Sequence, residues 1–75
     1  MTKHDLLACL AQVGDADASE VAGALGVPYS VAAMALLRLV RQGLASRFVD
    51  PDRGIYWYRL SESGEDRLAY LRTRH

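Results

Sequence analysis

The chain lacks almost everything that ties a small protein together covalently. Its 75 residues hold one cysteine, Cys9, so no internal disulfide can form. The two histidines, His4 and His75, stand near opposite ends of the chain. With one thiol they offer no metal-ligand spacing, and no metal or other cofactor is expected. Neither charge sign is in excess, with nine basic and nine acidic residues. Long apolar runs are missing too. The longest, residues 31–37, is far short of the roughly 20 residues a membrane-spanning helix needs. Residues 1–5 show no apolar secretory signal, which makes the cytoplasm the expected location. There is no glycine-rich phosphate loop and no Ser/His/Asp set on opposing loops, so no enzymatic activity is expected.

What is present argues for a folded domain. Half of the residues are hydrophobic (51%), too many for a disordered chain, and the length suits residues 1–75 as a single domain. The charges are unevenly placed. Residues 1–30 set Lys3 against Asp5, Asp15, Asp17 and Glu20, whereas residues 31–60 set Arg38, Arg41, Arg47, Arg53 and Arg59 against Asp50 and Asp52. Such a step can present a basic face to an anionic partner at zero net charge.

Punctuation divides the chain into six elements. Residues 4–13 place Leu6, Cys9, Leu10 and Val13 at helical spacing, with Leu7 beside them, until Gly14 stops the helix. Asp17, followed three residues on by Glu20, reads as a capping-box start for a helix over 18–25, which Gly26 closes. A third helix over 29–42 gathers Ala32, Ala35, Leu36 and Leu39 on one face. Ser30, Ala33, Met34, Leu37, Arg38 and Arg41 lie opposite. Strands are expected over 45–49 and 55–60, joined by the turn Asp50-Pro51-Asp52-Arg53-Gly54. Alternation puts Tyr56, Tyr58 and Leu60 on one face of the second strand, with Ile55, Trp57 and Arg59 on the other. Ser61 is a fitting N-cap for a helix over 62–73, with Arg72 and Arg74 toward its C-terminal end. The second and third helices are separated only by Gly26-Val27-Pro28, the tight break of a helix-turn-helix. A hairpin following such a unit makes a winged helix, an α+β fold of three helices, a two-stranded wing and a closing helix.

In three stretches the sequence resembles the winged-helix DNA-binding domains of bacterial regulators of the MarR and PadR type. Residues 20–27, EVAGALGV, resemble the family's second helix and turn. Residues 36–44, LLRLVRQGL, resemble the end of its recognition helix. The turn at 50–54, with Tyr58-Arg59-Leu60-Ser61-Glu62-Ser63-Gly64, resembles its wing and the start of its closing helix. The resemblance implies a transcriptional regulator that binds duplex DNA, with the third helix in the major groove and the wing near the minor groove. By position it places Ser30, Ala33, Met34, Leu37, Arg38 and Arg41 toward the groove, Arg53 at the wing tip and Arg47 on the strand leading there. The dimer-forming helices of full-length members have no counterpart in these residues.

Several residues fit two readings from sequence alone. Arg38 and Arg41 suit bidentate contacts to phosphate or guanine, or simply solubilise a helix. Arg53 suits a narrow minor groove, or pairing with Asp50 or Asp52. Met34 and Leu37 suit thymine methyls, or a patch for a protein partner. Tyr56, Trp57 and Tyr58 suit base stacking or packing, with Trp57 the candidate exposed contact. Cys9 suits a buried stripe or redox sensing. Leu68, Tyr70 and Leu71 suit the core or a homodimer contact through the terminal helices. Two functions follow: a DNA-binding regulator, or a winged-helix protein–protein adaptor that uses Ala33, Met34 and Leu37.

Overall fold

A computed structural model describes residues 1–73 of the chain; Arg74 and His75 lie outside the described residues. The elements run α1 (Lys3–Val13), α2 (Ala18–Leu25), α3 (Tyr29–Arg41), β1 (Ala45–Asp50), β2 (Ile55–Leu60) and α4 (Glu62–Thr73).

Each helix start has a local cause. Thr2 caps α1 in a reciprocal box with Asp5, each side chain accepting the other's backbone N–H at 2.9–3.1 Å. The bond from the Thr2 backbone N–H is the largest influence holding the Asp5 carboxyl below the ordinary aspartate range, and the Thr2 hydroxyl adds to it. Asp17 and Glu20 form the same box on α2, as their spacing predicts. Gly26 then takes the left-handed conformation (φ 66°), and the Val27 N–H donates to Ala22 O at 3.1 Å. That closure turns the chain through 113° between α2 and α3, within the range of a helix-turn-helix. Pro28 enters α3 without a side-chain cap.

The core lies where α1, α2, α3 and the base of the hairpin meet. Leu7, Leu10, Val21, Leu36 and Leu39 are its largest fully buried side chains, and Ala32, Tyr58 and Leu68 close it. Cys9 belongs to this core, and burial pushes its thiol pKa up, away from the reactive thiolate. Val13 departs from the expected α1 stripe. It sits in the last turn, where the chain leaves the helix at Gly14, and is 49% exposed.

β1 and β2 pair antiparallel from Ala45 opposite Leu60 to Asp50 opposite Ile55. Facing partners share a side of the sheet, so Ala45, Arg47, Val49, Tyr56, Tyr58 and Leu60 lie on one face. Ser46, Phe48, Asp50, Ile55, Trp57 and Arg59 lie on the other. Only the base of the first face reaches the core: Ala45 and Tyr58 are buried, whereas Tyr56 on that side is exposed. A third, one-residue strand is added by Ala16, which exchanges both backbone hydrogen bonds with Tyr58 at 3.0 and 2.8 Å. This bridge has no counterpart in the sequence pattern.

The junction with α4 is closely packed. The Ser61 N–H donates to Leu44 O at 3.1 Å and its hydroxyl donates to Gly43 O at 2.6 Å. The same hydroxyl accepts the Gly64 N–H at 3.0 Å, capping α4. Gly64 is buried directly against the Leu44 carbonyl and Leu60, with no room for a Cβ.

Candidate nucleic-acid interface

The outward side of α3 follows from what its inward side buries. Ala32, Leu36 and Leu39 face the core. The spacing i, i+4, i+7, i+11 therefore aligns Ser30, Met34, Leu37 and Arg41 on the opposite side, with Arg38 on the flank. Ser30, Met34, Arg38 and Arg41 are exposed, and Leu37 is half-buried. Ala33 departs from the expected groove face, because it is half-buried and packs against the core.

Two shallow clefts flank the start of α3. One, of about 310 Å³, is bounded by the first turn of α2 (Asp17, Ala18, Ser19), Tyr29, and the wing from Arg53 to Tyr56 with Tyr58. The wing and the start of α3 therefore border one depression. The other cleft lies across α3, between Met1 and Ser30, Val31, Met34, Ala35 and Arg38. Tyr29, 61% exposed, and Val31, 43% exposed, join the surface without having been singled out by the sequence. Their exposure depends on what α3 packs against, which periodicity alone does not specify.

The wing tip is organised by one carboxylate. Asp50 Oδ1 accepts the backbone N–H groups of Asp52 at 3.0 Å and Arg53 at 3.3 Å, while Oδ2 accepts Trp57 Nε1–H at 3.2 Å. The bond from Trp57 is the largest influence holding the Asp50 carboxyl below the ordinary aspartate range; the two amides and the Arg53 charge add to it, and desolvation opposes them. Gly54 closes the turn with φ 66°, its N–H on Asp50 O at 2.8 Å. Trp57 is half-buried and tied to Asp50, so it is a strut of the wing, and the reading of it as a free exposed contact is corrected.

The five arginines of residues 31–60 divide into two groups; Arg67 and Arg72 lie apart from them on α4. Arg59 donates to Asp15 at 2.9 Å and lies over the Phe48 ring at 4.9 Å. This is the only ion pair among the described residues. Arg53 is bonded to Asp50 through its backbone, not its guanidinium, which lies 6.0 Å from the Trp57 ring centre. Arg47 stacks over Tyr56 at 4.2 Å. Arg38, Arg41, Arg47 and Arg53 are exposed, and none has a carboxylate partner among the described residues. Stacking on an aromatic ring fixes a guanidinium without using up its hydrogen-bond donors.

No family model and no curated protein matches the sequence. Solved structures do match. The PcaV transcriptional regulator of Streptomyces coelicolor, determined in complex with its natural ligand, superposes with a TM-score of 0.88 at 27% identity, over 96% of this chain and 52% of its own. A MepR-like protein complexed with pseudoligands gives 0.86 at 26% identity, over 95% and 51%. A mutant MarR of E. coli complexed with operator DNA gives 0.83 at 19% identity, over 91% and 49%, a likeness of fold alone. The chain spans about half the length of these structures. Among the described residues no single helix is long and apolar enough to cross a membrane. With its four helices, its two-stranded wing and the 113° turn into α3, the chain is a MarR-like winged helix-turn-helix domain.

Proposed function

We propose that this domain binds duplex DNA as the reading part of a transcriptional regulator. The observation that carries the reading is the set of four arginines without carboxylate partners, two on the outer side of α3 and two on the wing that borders its first turn. An α-helix of 10–12 Å diameter fits a major groove about 12 Å wide. Ser30 and Arg41 on the outer stripe, with Arg38 on its flank, supply hydrogen-bond donors to base edges or phosphates. Met34 and Leu37 supply the apolar part, and Ala33 supports the helix from its inner side. Arg47 and Arg53 serve the flanking backbone or the adjacent minor groove. A single module of this size buries little surface, so a second copy, joined through the terminal helices, would supply a second half-site.

The test is a duplex titration at two salt concentrations. Binding that weakens steeply with salt is expected, as counterion release requires. Arg41→Ala and Arg53→Ala should each weaken binding and flatten the salt slope by about one unit, with a smaller effect for Met34→Ala. Absence of binding at low salt, with Met34 and Leu37 instead protected by a protein partner, would transfer the surface to the adaptor reading.

A further inference from the structure

We propose that the apolar strip formed by Val31 and Met34 reads the 5-methyl groups of thymine, so that the preferred site carries thymines beneath the first two turns of α3. The inference rests on the DNA-binding reading above and deepens it.

Three observations lead there. Val31, on the flank of α3, and Met34, beside it on the outer stripe, are 43% and 56% exposed and border the cleft that ends at Met1. The charged side chain lining their cleft is basic. That cleft and its neighbour along α3 hold Arg38 and Lys3 and no carboxylate. Three clefts elsewhere each contain at least one acid: Asp17 by the wing, Asp15 and Glu65 near Arg59, and Asp5 between α1 and α2. An apolar strip whose cleft is lined by a basic side chain and no carboxylate is complementary to a surface that is anionic at its rim and apolar at isolated points. The major groove is such a surface, since phosphates line it and the thymine methyl is its apolar feature. A protein partner fits less well, because a standard interface covers about 800 Å² per side, far more than two or three side chains provide.

The discriminating probe changes only the methyl group. Two short alternating duplexes, one of adenine and thymine and one of adenine and uracil, are titrated with the protein at low salt. Tighter binding of the thymine duplex is expected, by about fourfold for each methyl covered. Met34→Ala should bring the ratio toward one by weakening the thymine duplex several-fold more than the uracil duplex. Val31→Ala should do the same in part. Both side chains are exposed, so neither change threatens the fold. Equal binding of the two duplexes by the unaltered protein would overturn the thymine reading and leave DNA binding standing. No binding of either duplex would overturn both. Self-association without DNA that Met34→Ala abolishes would assign the strip to a second copy of the chain, and the proposal would fall.

Discussion

The two ends of the hairpin are held by opposite means. At its base, Ala45, Tyr58 and Leu44 are buried, Ser61 bonds across to Gly43 and Leu44, and Gly64 presses on the Leu44 carbonyl. At its tip, one exposed turn is tied by the two oxygens of Asp50. The base is fixed by close packing, which tolerates no added atom. The tip is fixed by directional bonds in water, each of modest net worth. The base sets where the wing points; the tip sets how its arginine is offered.

The sharpest way to break this contrast is to add one methyl group at the base. Gly64→Ala places a Cβ against backbone, which cannot rotate away. A loss of about 2–3 kcal/mol is expected, seen as a drop of roughly 10 °C or more in the thermal midpoint. A midpoint unchanged by this substitution would mean that the junction is looser than described. Ser61→Ala removes the α4 cap and the bond to Gly43 without adding bulk, and should cost about 1 kcal/mol in a denaturant titration.

The smallest global effect is expected at the tip. Asp50→Asn keeps one acceptor oxygen and replaces the other with an amide donor, so it cannot receive both the turn amides and Trp57 Nε1–H. The thermal midpoint should barely change, whereas the emission of Trp57, the only tryptophan, should shift. Acid should act in the same way. A carboxyl whose pKa is lowered in the folded state stabilises the tip at every pH above its unfolded value. That contribution fades as the pH falls through the lower folded value. The emission change should therefore appear only below about pH 4. A change already present between pH 5 and 7 would assign it to another group.

Much of this architecture was legible because its causes are local. The Asp17/Glu20 box, the glycine at position 26 and the turn at 50–54 lie within a few residues of the structure they specify. The inward stripe of Ala32, Leu36 and Leu39 follows from the period of one helix. The features that escaped join distant segments. Ala16 meets Tyr58 across 42 positions, and Asp15 meets Arg59 across 44. Trp57 alternates with Tyr58 as read, but its bond to Asp50 depends on the hairpin register. For the candidate interface, the sequence identified the arginines of residues 31–60 as a group yet could not separate Arg59, which is paired, from the other four of that stretch, which are not. It also singled out Leu37 rather than Val31 beside Met34, because exposure on a helix flank is decided by the neighbours it receives in the fold.

The bridge at Ala16 carries a mechanical consequence. Ala16 stands two residues ahead of α2, and through Tyr58 it is anchored to the middle of the second strand. A sideways push on the hairpin is therefore transmitted by two amide bonds to the root of the helix-turn-helix. Wing and helix-turn-helix are thereby tied at one point, and under the proposed DNA-binding reading a groove that misfits the wing would also tilt α3.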